Sequence, residues 1–130
     1  MVRVGGTKNE HPSRAGGYFR VAQGLRNTAG DLSEMGEAKY GNGLAIVAIH
    51  CAIAYTDALT VAYGGFKSTD GDHARASEAL QRALGHRADP AQVRRLASVL
   101  DAKSHASYSG RYYTLADGEQ IFRKVEEFAA

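Results

Sequence analysis

The segment Leu44–Val61, LAIVAIHCAIAYTDALTV, is a long apolar run in which fourteen of eighteen residues are apolar. A helix of this length and composition is expected inside a protein, covered on most sides by other helices. Its two titratable side chains, His50 and Asp57, would then need partners or a function, because burying an unpaired polar group is costly. The segment therefore predicts the central helix of an all-α fold.

A membrane span is the alternative for this segment, because about twenty predominantly apolar residues suffice to cross a bilayer. Asp57 argues against a span, since a charged side chain near the bilayer centre costs about 3 kcal/mol on insertion scales. His50 lies in the middle of the run, and no cluster of Lys or Arg flanks it. We therefore expect a buried helix and no membrane.

The composition fits a single domain, because 130 residues with 44% hydrophobic content can bury a core without a disulfide or structural metal. The net charge of +2 is too small for a duplex-DNA binder, so we expect any nucleic-acid contact to be local. The single cysteine, Cys51, is predicted to be a buried small hydrophobe. One cysteine agrees with a reducing compartment, and residues 1–14 lack the apolar core of a signal peptide. We expect a cytoplasmic protein whose residues 1–14 form a flexible lead-in.

Apolar periodicity predicts the first helix from Ala15 to Gly36. Its apolar positions recur at spacings of three and four: Tyr18, Ala22, Leu25, Ala29, Leu32 and Met35. The segment Gly41–Gly43 predicts a tight reversal, which would place the second helix antiparallel to the first. Gly64 and Gly65 predict the end of the second helix.

Three shorter helices are predicted in the second half of the chain. The third is capped by Asp70 or Asp72 and ends at Gly85, and the fourth begins at Asp89 and Pro90 and runs to about Ala106 or Tyr108. The last begins at a capping box of Thr114 and Asp117. Their predicted inward residues are Ala76, Leu80, Ala83, Leu84, Val93, Leu96, Ala97, Leu100, Ile121, Phe122, Val125 and Phe128. With no strand pattern, the sequence predicts an antiparallel up-and-down bundle of about five helices over residues 15–130.

This order of helices resembles the HEPN family. The resemblance rests on AIHCAIAYTDALT in the second helix, GDHARASEAL at the opening of the third and KSHASYSGRYYT before the last. It covers about residues 15–130. It implies a bundle in which a long antiparallel pair packs with shorter helices, which often forms a homodimer, and which often has a nucleotidyltransferase partner encoded nearby.

Many HEPN proteins are similar in a ribonuclease motif, an arginine followed after four to six residues by a histidine. None of the five histidines of this chain has an arginine at that separation, and the nearest pair, Arg82 and His86, has three residues between its members. On a helix one missing residue rotates such a pair by about 100° and shortens its offset by about 1.5 Å. His86 also lies beyond the stop at Gly85, so we expect a solvated helix end and no catalytic pair.

His50 and Asp57 are seven residues apart, on one face of the predicted helix but about 10.5 Å apart along its axis. They are too far apart to hydrogen-bond to each other, so each needs a partner from another element. The candidate partners are Arg20, Arg26, Tyr40, Lys103, His105 and Tyr108. Two interpretations remain: separate structural anchors, or a ligand pocket lined by both. No metal site is expected, because the spacing supplies no closed set of ligands.

Two further places could hold an anion. His73 follows Asp72 at a predicted helix start, where free N–H groups attract negative charge, although a cap with a half-exposed histidine is the alternative. The segment KSHASYSGRYY concentrates cations and rings: Lys103, His105, Tyr108, Arg111, Tyr112 and Tyr113. Phosphates would meet the cations and bases could stack on the rings, or the tyrosines pin the loop to the bundle.

These observations favour a non-catalytic HEPN-like binding module for a nucleotide, RNA or a protein partner such as a nucleotidyltransferase, with no cofactor. The candidate ligand-binding residues are His50, Asp57, His73, Lys103, His105, Tyr108 and Arg111. One alternative is a ribonuclease with a rearranged site, in which His105 or His73 acts as acid or base and Arg111 or Lys103 stabilises the phosphate charge. The other is a purely structural dimer with the first two helices at its interface.

Overall fold

A computed structural model describes residues 7–68, 76–102 and 110–129. These ranges contain five α-helices, α1 Ala15–Met35, α2 Gly41–Gly64, α3 Ala76–Leu84, α4 Pro90–Asp101 and α5 Leu115–Ala129. They also contain two short strands, β1 Thr7–Asn9 and β2 Phe66–Ser68, and three single turns of 3-10 helix, Pro12–Arg14, Ala38–Tyr40 and Gly85–Arg87. The predicted helical, all-α architecture is confirmed, with a small two-stranded sheet added to it.

Helix α2 is the centre of the fold, because α1, α3 and α5 all pack against it. Its buried residues lie on most of its circumference and include Leu44, Ile49, Cys51 and Val61. The stretch Ala38–Gly64 is long and apolar enough to cross a membrane, but 78% of its most apolar part is buried inside the protein. The neighbouring helices thus cover the apolar surface that makes this segment resemble a span.

Helices α1 and α2 are antiparallel, as predicted. The Cys51 thiol donates a hydrogen bond to the Ala22 carbonyl oxygen at 3.3 Å, and the rings of Phe19 and Tyr55 meet edge to face with centroids 5.8 Å apart. Met35, predicted to face inward, is 58% exposed. It is the last residue of α1, and Gly36 ends the helix directly after it.

The reversal between α1 and α2 was predicted at the wrong residues. The turn begins at Gly36, whose positive φ of 66° ends α1, and Gly41 already starts α2. Gly41 is required for a different reason: a Cβ atom there would overlap the carbonyl oxygens of Tyr113 and Thr114. The end of α2 is as predicted, with Gly65 at φ 68°.

Helix α4 begins as predicted, because the Asp89 carboxylate accepts a hydrogen bond from the Ala91 N–H at 2.9 Å and Pro90 follows it. It ends at Asp101, before the predicted Ala106 or Tyr108. Ala97, predicted to face inward, is exposed. The buried residues of α4 are Leu96, Val99 and Leu100.

Helix α5 starts with the predicted capping box. The Thr114 hydroxyl accepts from the Asp117 N–H and the Asp117 carboxylate accepts from the Thr114 N–H, both at 3.1 Å. Ile121, Phe122 and Val125 are buried, as predicted. The predicted caps of α3, Asp70 and Asp72, lie outside the described residues.

The two strands form an antiparallel ribbon that the sequence analysis did not predict. Thr7 pairs with Ser68, and Asn9 pairs with Phe66. Strands of three residues are too short to show a period of two, so periodicity could not reveal them. Residues 7–14, expected in a flexible lead-in, instead supply β1 and a turn of 3-10 helix before α1.

Candidate functional site

Asp57 is a structural anchor for the strand β2. Its carboxylate is buried, and its Oδ2 lies 3.6 Å from Lys67 Nζ. The same ammonium group lies over the ring of Tyr18, 4.9 Å from its centroid. Burial raises the pKa of Asp57, and the attraction of Lys67 offsets only part of that effect. Lys67 was not among the predicted partners because it belongs to a strand that the sequence pattern did not reveal.

His50 is exposed, so the prediction of a buried histidine was wrong. It shares a face of α2 with Gly43 at one end and Asp57 at the other, since seven residues make nearly two turns. Gly43 is exposed and Asp57 is buried. This face of α2 is therefore covered only toward its C-terminal end, where Lys67 of β2 forms an ion pair with Asp57. His50 and Asp57 thus have different surroundings: the first is exposed, and the second is paired with Lys67.

The residues just before α5 are tied to the first turn of α2. The side-chain amide of Asn42 donates to the Arg111 carbonyl oxygen at 2.9 Å and accepts from the Tyr113 N–H at 2.8 Å. Tyr113 is buried, and the Tyr112 hydroxyl donates to the Ala38 carbonyl oxygen at 3.2 Å. These two tyrosines pin the segment to the bundle, which was the alternative to base stacking.

Arg111 is the one cation of the segment KSHASYSGRYY that lies among the described residues. It is exposed, and its guanidinium group lies 5.3 Å from the centroid of the Tyr113 ring. Its backbone is held by Asn42, which is fifteen residues or about 22 Å along α2 from Asp57. Arg111 and Asp57 are therefore not brought into one site. The other candidate ligand-binding residues, His73, Lys103, His105 and Tyr108, lie outside the described residues.

Cys51 has the surroundings of an unreactive thiol, as predicted. It is completely buried, and burial raises its pKa to about 11. Nearby, Arg26 links three helices: it lies 3.5 Å from Glu126 of α5, and a hydrogen bond to Tyr55 of α2 raises its pKa. This arrangement joins α1, α2 and α5.

A basic groove between α4 and α5, which we call the α4–α5 groove, was missed by the sequence analysis. It has a volume of about 510 Å³ and is lined by Ala91, Arg94, Arg95, Ser98, Gln120, Arg123, Lys124 and Glu127. The lining residues follow the spacing i, i+3, i+4, i+7 on each helix, so each set forms one helical face. Among the described residues of the lining, four cations thus face one carboxylate.

The contacts inside the α4–α5 groove distinguish Arg95 from the other cations. Arg95 Nη1 donates to Gln92 Oε1 at 2.6 Å, and its Nε lies 3.3 Å from Glu127 Oε2. Arg94, Arg123 and Lys124 are exposed and form no ion pair within residues 7–68, 76–102 and 110–129. Three cations of the groove are therefore open to a ligand, while Arg95 is already held.

The sequence does carry a signal for the α4–α5 groove, namely the adjacent pairs Arg94–Arg95 and Arg123–Lys124. Each pair alone is typical of a solvated helix face. They act together only because α4 and α5 run antiparallel in contact, with the Gln92 amide donating to the Glu127 carbonyl oxygen at 3.4 Å. That packing is not encoded within either helix.

Metal-ligand geometry and similarity to other proteins were two further possible sources of functional information. Among the described residues no group of three or more His, Cys, Asp or Glu side chains is placed to hold a metal ion. Comparisons with protein-family models, with curated proteins and with solved structures found no match for this chain. The function is therefore inferred from the chemistry of the α4–α5 groove.

Proposed function

We propose that this protein is a non-catalytic binding module built on a HEPN-like helical bundle, and that it binds single-stranded RNA in the α4–α5 groove. The observation that carries this proposal is the alignment of Arg94, Arg123 and Lys124, beside Arg95, along one groove. Arginine and lysine are the side chains that neutralise phosphates in protein–RNA contacts. A local basic groove also agrees with a net charge of only +2.

The length of the groove favours a polymer over a single nucleotide. Ala91 to Ser98 on α4 spans seven residues, or about 10.5 Å. At roughly 3.4 Å per residue of a stacked strand, that length accepts about three consecutive phosphates. Binding of a single nucleotide, binding of a nucleotidyltransferase partner and formation of a homodimer remain predictions.

The lining of the groove favours recognition of the backbone rather than the bases. Among the described residues that line it, none has an aromatic side chain on which a base could stack. Its polar groups are mainly cations, which contact phosphate without reading sequence. We therefore expect binding that depends strongly on salt and weakly on RNA sequence.

The chemistry of the groove also favours binding without catalysis. A general acid or base must lie within hydrogen-bond reach of the proton it moves. The described residues that line the groove include no histidine, and their carboxylate, Glu127, is engaged with Arg95. The alternative of a ribonuclease with a rearranged site depends on His73 or His105, which lie outside the described residues.

The proposal is tested by fluorescence anisotropy with a labelled single-stranded RNA of mixed sequence. Arg94→Ala/Arg123→Ala should weaken binding and lower the slope of log K against log salt by about 1.4, because two phosphate contacts are lost. Arg14→Ala/Arg20→Ala removes the same charge at the start of α1, from residues that do not line the groove. Equal effects of the two double variants, or no salt-dependent binding by the wild type, would refute the proposal.

A further inference from the structure

Glu127 places a negative charge inside a groove that otherwise attracts negative charge. It is the one acidic residue among the described residues of the lining, and its Oε2 lies 3.3 Å from Arg95 Nε. Carboxylates and phosphates are both oxyanions that accept hydrogen bonds from a guanidinium group. A phosphate that binds Arg95 must therefore compete with this carboxylate.

The two partners of this ion pair are held to different degrees. Arg95 is fixed by its 2.6 Å hydrogen bond to Gln92, and a third of its side chain is exposed. The Glu127 side chain is 54% exposed. An exposed ion pair is weak, so the Glu127 side chain can leave for solvent while Arg95 stays in place.

We infer that Glu127 is an internal competitor that occupies the Arg95 position of the α4–α5 groove until a phosphate displaces it. This inference rests on the proposed function. Such a role explains why the Glu127 carboxylate, in a groove lined mainly by cations, is paired with Arg95, the arginine that Gln92 also holds. The competitor lowers affinity for any single anion, and an RNA strand overcomes it because its other phosphates bind Arg94, Arg123 and Lys124.

The neighbouring residue Glu126 provides a matched control. It lies one position away on α5, which rotates its side chain by about 100°, and it pairs with Arg26 of α1 rather than with Arg95. Glu126→Gln and Glu127→Gln change the net charge equally. Only Glu127→Gln removes a carboxylate from the groove.

Binding of the same labelled RNA to the wild type, Glu126→Gln and Glu127→Gln tests the inference, with circular dichroism to verify folding. Glu127→Gln should bind about two to five times more tightly than Glu126→Gln, the range that exposed ion pairs span. Its salt dependence should stay close to that of Glu126→Gln, because a phosphate contacts Arg95 in both bound states. The gain should disappear when Arg95→Ala is combined with Glu127→Gln.

Two results would overturn the inference. Equal affinities of the two glutamine variants, in a protein that binds RNA, would refute the competitor and leave the proposed function standing. A gain that persists in the Arg95→Ala background would show a general charge effect and refute it too. A wild type that binds no RNA would instead refute the proposed function.

Discussion

The crossing of α2 and α5 gives a sharp prediction at Gly41. A Cβ atom there would overlap the carbonyl oxygens of Tyr113 and Thr114, and one at Gly118 would lie 2.6 Å from the Gly41 carbonyl oxygen. The two helices thus meet backbone to backbone. Carbonyl groups of the main chain cannot rotate away as a flexible side chain can, so an added methyl group must separate the helices.

We expect Gly41→Ala to lower the free energy of unfolding by about 1–5 kcal/mol. Overpacking of a tight contact costs about 1–3 kcal/mol. Separation of the chains would also weaken the two hydrogen bonds of the Asn42 amide to the backbone of residues 111 and 113, at about 0.5–1.5 kcal/mol each. The helix-propensity gain of alanine recovers at most about 1 kcal/mol of this loss.

Gly43→Ala is the matched control, two residues further along the same helix. A Cβ atom at Gly43 has no atom of the described residues within 4 Å. Alanine should therefore stabilise the protein there by about 0.5–1 kcal/mol, because it restricts the unfolded chain and favours the helix. Urea unfolding followed by circular dichroism measures both variants. A Gly41→Ala variant as stable as the wild type, or stability changes of the same sign for both substitutions, would refute the close backbone contact at Gly41.

Three further predictions concern single side chains. Asp57→Asn should gain stability relative to the wild type as pH rises above about 4. Burial raises the folded-state pKa of Asp57 above its unfolded value, so ionisation of the carboxyl group opposes folding. Parallel profiles of unfolding free energy against pH for the two proteins would contradict this. Thr114→Ala should lower the free energy of unfolding in urea by about 1 kcal/mol, because the Asp117 N–H loses its hydrogen bond to the Thr114 hydroxyl. Thr28→Ala, on the exposed side of α1, should lower it less. Equal losses would argue against the cap. Cys51 should resist iodoacetamide in the native protein and react after denaturation, as mass spectrometry would show; rapid native labelling would contradict its burial.

Local signals predicted the helices well because each depends on residues within one or two turns. Asp89 with Pro90 and Thr114 with Asp117 satisfy N–H groups of their own helices, so the caps follow from the sequence alone. Gly36 and Gly65 end helices through a positive φ that glycine adopts easily. The central position of α2 followed from its composition, since a helix apolar on nearly all sides must be covered.

Only the tertiary structure decided what the polar residues do. His50 and Asp57 lie on one face of α2, yet one is exposed and the other is buried against Lys67, because packing covers that face at one end only. The α4–α5 groove arises in the same way: two basic helix faces become one surface when α4 and α5 pack antiparallel. The sequence by itself determined the capped starts of α4 and α5, the glycine ends of α1 and α2, and the burial of most of α2. Which polar faces meet depends on contacts between residues far apart in the chain, and periodicity within a helix carries no information about those.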